Sequence, residues 1–148
     1  MISGVPAPIR DIRYNSRMSS FSLIIQGAPY TSQASVSALH FSRAALADGH
    51  EIQRLFFFQD GVHNASALIV PPQDELHLPK AWQELIQKHG IDAVVCAASA
   101  LKRGILSDEE AARYEKTTDN LLPGFTIGGL GLLVDALRNS DRLINFAP

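Results

Sequence analysis

The stretch Glu51-Ile52-Gln53-Arg54-Leu55-Phe56-Phe57-Phe58 decides how this chain is read. Its β-favouring residues lack the strict in–out alternation of a half-exposed strand. Apolar groups therefore point to both faces, as they do when helices cover both sides of a parallel sheet. N-terminal to it, residues 21–26 (FSLIIQ) form another short apolar run, stopped by Gly27-Ala28-Pro29. Between the two runs Val36, Leu39, Ala44, Ala45 and Leu46 recur at helical spacing, with Thr31 or Ser32 available as N-cap and Asp48-Gly49 as the stop. C-terminal to it, a loop containing Gly61-Val62-His63-Asn64 and Pro71-Pro72 leads to residues 79–89, where Trp82, Leu85 and Ile86 mark an amphipathic helix. Residues 91–97 read as a third buried strand ending in Cys96-Ala97-Ala98-Ser99, and Ser107-Asp108-Glu109-Glu110 as a capping box opening a short helix to about Tyr114. Residues 124–131 form a brief strand or turn before a helix carrying Leu132, Leu133, Ala136 and Leu137, and residues 142–146 close the chain as a strand. Strands alternating with helices predict an α/β fold: a single-domain three-layer sandwich of about five mainly parallel strands with helices on both faces.

Composition narrows the function. At 148 residues the chain is one domain by length, and 46% hydrophobic content suffices to fill its core. Residues 1–17, with Pro6, Pro8, Arg10, Arg13 and Arg17 and no apolar h-region, read as a disordered or non-native N-terminal extension with Met18 as the natural start; residues 18–148 are the folded domain. With no secretory signal, cytoplasmic location is the default. No apolar run approaches the roughly 20 residues of a membrane span, so no membrane partner is expected. A formal charge of −2 offers no field for a phosphate backbone, which argues against direct nucleic-acid binding. A single cysteine excludes an internal disulfide and a multi-thiolate zinc site. The five histidines show no ligand spacing, and neither G-x-G-x-x-G nor G-x-x-x-x-G-K-[ST] is present, so neither a metal nor an organic cofactor is expected.

Cys96 is the candidate catalytic residue. In α/β sheets chemistry gathers outside the carboxyl ends of the strands, and Cys96 falls at that end of the third strand. Cysteine on an apolar strand is by composition more often a small inert hydrophobe. Its surroundings favour chemistry: small neighbours at Ala97, Ala98 and Ala100, Ser99 to cap a following turn, and the cations Lys102 and Arg103 within a turn or two. Positive charge and unpaired backbone N–H groups favour thiolate over thiol. Ser99, Lys102 and Arg103 are thus candidate supports of a Cys96 thiolate, set against the plainer view of the two cations as a solvated helix face.

Five segments spread over nearly the whole domain carry a resemblance: Gly27-Ala28-Pro29-Tyr30; Leu46-Ala47-Asp48-Gly49-His50-Glu51; Phe57-Phe58 with Asp60-Gly61-Val62-His63-Asn64-Ala65; Val95-Cys96-Ala97-Ala98-Ser99-Ala100-Leu101-Lys102-Arg103-Gly104; and Gly124-Phe125-Thr126-Ile127 with Gly129-Leu130-Gly131. In these the chain resembles the DsrE-like family of sulfur-relay proteins, and within it the TusD-type subunits. The resemblance implies a sulfurtransferase that takes a sulfane sulfur as a persulfide on the cysteine matching Cys96 and passes it on. It also implies a cytoplasmic heterohexamer with the sister subunits TusB and TusC, in which sulfur arrives from TusA and leaves through TusE toward 2-thiolation of the tRNA wobble uridine. The competing expectation is a non-catalytic DsrE-like assembly subunit in which Cys96 is inert. A third is a small-ligand or flavin-binding α/β module.

Overall fold

The computed structural model describes residues 17–148. The expected extension over residues 1–17 therefore lies, but for Arg17, outside the described residues. From there the chain runs β1 (Ser20–Ile25), α1 (Ala34–Ala47), β2 (Glu51–Phe57), a 3-10 segment (Gln59–Ala65), α2 (Leu78–His89), β3 (Asp92–Cys96), α3 (Ala97–Lys102), α4 (Asp108–Arg113), β4 (Phe125–Gly128), α5 (Gly131–Asn139) and β5 (Arg142–Phe146). The five strands form one sheet in the order β4-β3-β2-β1-β5, with every neighbouring pair parallel. This is the α/β sandwich expected from the sequence.

The strand order dictates how the helices divide. From β1 to β4 each crossover steps the same way across the sheet, whereas β4 to β5 returns past the first strand. Because crossovers share one hand, α1 and α2 cover one face and α5 alone covers the other. The first face holds the main core, in which Leu23 and Ile25 of β1, Leu55 and Phe57 of β2, and Ala93 and Val95 of β3 pack with Leu39, Trp82 and Ile86 from the helices. Trp82 stands edge-on to Phe57, with ring centroids 5.4 Å apart. Under α5 the cluster is small: Phe56, Val94 and Cys96, with Phe58 and Leu133 partly buried against them. Ala136 is the one fully buried residue of α5, and β5 has none. Polar bonds hold α5 instead. Arg54 on β2 donates to the Leu132 carbonyl at 2.7 Å and to Asp135 at 2.9 Å while also pairing with Asp92.

Local signals account for most element ends. The Ser107 hydroxyl accepts from the Glu110 N–H at 3.2 Å as its capping box requires, but Glu110 turns to Arg113 instead of reaching back. Neither Thr31 nor Ser32 is the N-cap of α1; that position falls to Gln33, and Ser32 bonds only the Ala34 N–H. Helix α2 begins one residue earlier than its proline, capped by His77, whose Nδ1 accepts from the Lys80 N–H at 3.3 Å. The expected loop after β2 is in part the 3-10 segment.

Candidate functional site

Cys96 closes β3 and is at the same time the N-cap residue of α3, which starts at the next residue. Alternation along β3 places it with Val94 on the α5 face, and its side chain lies in the small cluster there at only 2% exposure. In the sheet its register partner on β4 is Gly128. A Cβ at Gly128 would come within 2.5 Å of Leu132 Cδ1 and 3.0 Å of Val94 Cγ1. Glycine is therefore what lets the first turn of α5 lie close over the end of the sheet beside the thiol. No hydrogen bond reaches Sγ among the described residues, so the sulfur is neither cap nor acceptor here. Its surroundings are apolar: it clusters with Phe56 and Val94, and Phe58 and Leu133 pack against that cluster.

The three expected supports separate. Ser99 is the third residue of α3 and not a cap; its buried hydroxyl accepts the Gln59 N–H at 3.0 Å. Arg103 is committed twice, to the Ser99 carbonyl at 3.2 Å and to Asp60 Oδ1 at 2.8 Å. The hydrogen bond from Arg103 holds the Asp60 carboxyl below its ordinary range, partial desolvation opposes this, and the charges of Arg103 and then His63 add to the lowering. Lys102 is exposed and makes no ion pair among the described residues. Ser99 and Arg103 thus fasten α3 to the 3-10 segment, and Lys102 stands at the opposite end of α3 from Cys96.

The residue that sequence reading passed over is Asn64. It is wholly buried; its amide donates to the Gly27 carbonyl at 3.0 Å and the Gly61 carbonyl at 2.9 Å, and its Oδ1 accepts from the Ser35 hydroxyl at 2.6 Å. Ser35 in turn accepts from the Trp82 indole at 3.0 Å. This satisfied chain ties the loop after β1, the 3-10 segment and α2 together just beyond the strand ends. Gly61 serves the same junction, because a Cβ there would collide with the Ile25 carbonyl oxygen. A signal was available: Asn64 lies in the run Gly61-Val62-His63-Asn64-Ala65, between the apolar Val62 and Ala65, where a buried polar group must find partners. Gln59, which leads into the segment, takes a left-handed φ of 50°.

Among the described residues no group of three or more His, Cys, Asp or Glu side chains is placed to hold a metal ion, and no helix is long and apolar enough to cross a membrane. What the site can offer chemically is one thiol.

The sequence pattern of the DsrE/DsrF-like family matches residues 19–146. The sulfurtransferase TusD homolog of Pseudomonas aeruginosa is 55% identical over 118 residues, covering 80% of this chain and 90% of that protein. The TusD homolog of Aliivibrio fischeri is 45% identical over 126 residues, covering 85% and 97%. Sulfurtransferase TusD of Salmonella dublin is 43% identical over 126 residues, covering 85% and 98%. In fold, the crystal structure of the ychN protein from E. coli aligns with a TM-score of 0.68 at 20% identity, covering 87% of this chain and all of that one. The putative sulfurtransferase DsrE of Allochromatium vinosum is 48% identical over 126 residues, covering 85% of this chain and 97% of that protein. The chain belongs to the DsrE/DsrF-like family, and its relatives at 43–55% identity include TusD-type sulfurtransferases and this DsrE.

Proposed function

We propose that this sulfurtransferase carries its sulfur as a persulfide on Cys96. The observation that supports this most is the place of the chain's one cysteine, at the carboxyl end of β3, where strand gives way to helix in a fold whose relatives are sulfurtransferases. In the first step the Cys96 thiolate attacks the outer sulfur of a donor persulfide, R–S–SH. The new S–S bond gives Cys96–S–SH, and the donor leaves as the thiolate R–S⁻. In the second step an acceptor thiolate attacks the outer sulfur of Cys96–S–SH and regenerates the Cys96 thiolate. Each step is a displacement of the thiol–disulfide kind, in which the sulfane sulfur changes carrier with no net redox change. No second thiol is at hand to collapse the persulfide into an internal disulfide. Among the expected supports, Ser99 and Arg103 act by holding the 3-10 segment against α3, and Lys102 stands at the far end of that helix from the thiol.

The finer reading is a cytoplasmic relay: a heterohexamer with TusB- and TusC-type sister subunits, sulfur supplied by a TusA-type donor and surrendered to a TusE-type acceptor, and 2-thiolation of the tRNA wobble uridine as its end. Exposed Leu130, at the N-cap of α5, and Val134 and Leu137 on one side of that helix support a subunit contact there. The burial of Cys96 favours a second reading, that of a non-catalytic assembly subunit with an inert thiol. One experiment divides the two. Mass spectrometry of the protein after incubation with a small persulfide donor is expected to show a gain of one sulfur atom on Cys96, absent in Cys96→Ala; no gain in the wild type leaves the assembly reading standing.

A further inference from the structure

Strand β4 ends the sheet, and its outer side is paired to no other strand among the described residues. Beside it runs a groove of about 380 Å³, lined by the apolar Phe125 and Ile127 of the strand and by Asp108, Glu109, Glu110 and Asp119. No basic side chain lines this groove. The surrounding chain does not cancel its charge: residues 107–119 hold five carboxylates against two cations, Arg113 and Lys116. Arg113 already meets Glu109 at 3.7 Å and Glu110 at 3.3 Å. A separate observation points the same way. Glu110 Oε2 is buried without a hydrogen-bond partner, the one such side-chain atom among the described residues. A buried carboxylate oxygen lacking a donor costs free energy that an N–H brought from outside would recover.

We propose that the free edge of β4 docks an extended segment of a partner protein that carries lysine or arginine at every second position. Main-chain N–H and C=O groups of that segment continue the sheet, and its alternate side chains enter the groove. Strand β4 has four residues, so at about 3.3 Å each the footprint is about 13 Å long. Phe125 and Ile127 belong to the main-core face of the sheet, and every second residue of an added strand lies over that same face, next to the carboxylates. Lysine and arginine suit both surroundings, because their methylene stems cover apolar surface while their charged heads pair with carboxylates. Charge also decides against a second copy of this chain, since pairing two β4 edges would set like carboxylates against each other. A nucleic-acid backbone is repelled for the same reason. The proposal is independent of the chemistry at Cys96.

The test uses the full chain and dye-labelled peptides of about six residues, one alternating lysine with threonine and one alternating glutamate with threonine, with binding read by fluorescence anisotropy. The lysine peptide is expected to bind about tenfold more tightly at low ionic strength, with the difference shrinking as salt is added. Two further lysine peptides carry N-methyl groups on alternate amides, one at the lysines and the other at the threonines. One of them should lose binding and the other keep it, because only one set of amides faces β4. In the double variant Asp108→Lys with Asp119→Lys, both exposed positions, checked for folding by thermal unfolding, the preference for lysine should collapse. Asp119→Lys alone, at a position outside the helices, repeats the measurement if the double variant unfolds, and should weaken the preference. Equal affinity for the two peptides overturns the proposal, as does a lysine preference undiminished in a folded variant, or the same response to both methylation patterns. Binding of neither peptide up to about 1 mM overturns it too, and leaves the carboxylates as a guard of the strand edge against unwanted pairing.

Discussion

On the persulfide reading, Cys96, at 2% exposure, must be uncovered before it reacts. Leu133 of α5 and Phe58 pack against the cluster that holds the thiol, and α5 has a single fully buried residue, so α5 is expected to lift locally at a cost below that of global unfolding. Substituting Leu133→Ala removes half-buried apolar contacts made only in the closed form. Burying a leucine fully is worth about 2–5 kcal/mol against alanine, so the half-buried Leu133 is worth about 1.5 kcal/mol. When reclosing outpaces chemistry, alkylation follows the open population, and about 1.4 kcal/mol is a factor of ten. Leu133→Ala should therefore raise the rate of Cys96 alkylation by iodoacetamide about tenfold while lowering the melting temperature by about 4–6 °C. Arg54→Met, which frees the Leu132 carbonyl and Asp135, should act in the same direction. The control is Ile52→Val, a loss of about 1 kcal/mol in the core on the opposite face. If the thiol is reached only by global unfolding, Ile52→Val will accelerate alkylation in proportion to its stability loss, and equal acceleration per kcal/mol in the two variants refutes local opening of α5.

Other consequences can be measured alongside. Asn64→Ala leaves two carbonyls and the Ser35 hydroxyl short of a partner; at about 1–3 kcal/mol for each such loss, a fall of about 3 kcal/mol or more in urea-unfolding stability is expected. A loss under about 1 kcal/mol would mean that water replaces the amide. Because the Asp60 carboxyl is held below its ordinary value by Arg103, the ion pair contributes stability above the ordinary carboxylate pKa and loses it as pH falls through the lower folded value. Asp60→Asn should accordingly flatten the acid limb of the stability–pH curve between about pH 5 and pH 2, and an unchanged limb would show that the pair does not matter to folding. Val134→Asp with Leu137→Asp, both on the exposed side of α5, should spare the monomer's melting temperature but abolish co-elution with co-expressed sister subunits in size-exclusion chromatography. Intact co-elution would place that contact elsewhere.

The sheet was legible because β2 and β3 are apolar on both faces, and this follows from residue type alone. The place of Cys96 was legible for the same reason, since an apolar run that gives way to Ala97-Ala98-Ser99 marks a strand end. Its burial was legible too, had period two been applied: Val94 and Cys96 share a face that residues 132–137 must cover. The partner of Arg103 was not. Asp60 lies 43 residues away along the chain, and nothing local in either residue distinguishes a salt-bridged arginine from a solvated one. The His77 cap escaped because histidine is seldom placed among helix-capping residues, and the Asn64 network because its partners come from three elements brought together only by the fold.

One topological fact links the site to these tests. Three crossovers in one direction put the large core on the α1 and α2 face, and the single return crossover leaves α5 alone on the other. The face with one helix is the one that carries Cys96. A thiol facing the main core would sit in the larger cluster with Leu39, Trp82 and Phe57; Cys96 sits instead in a small cluster with Phe58 and Leu133 packed against it, on the face of a helix that Arg54 holds by two bonds. If α5 lifts locally as expected, such a sulfur is protected from casual oxidation while the helix is down and becomes reactive when it lifts. If the exposed side of α5 is covered by a sister subunit, the assembly controls that motion, and persulfide loading of the complex should differ in rate from that of the isolated chain even though the chemistry at sulfur is the same.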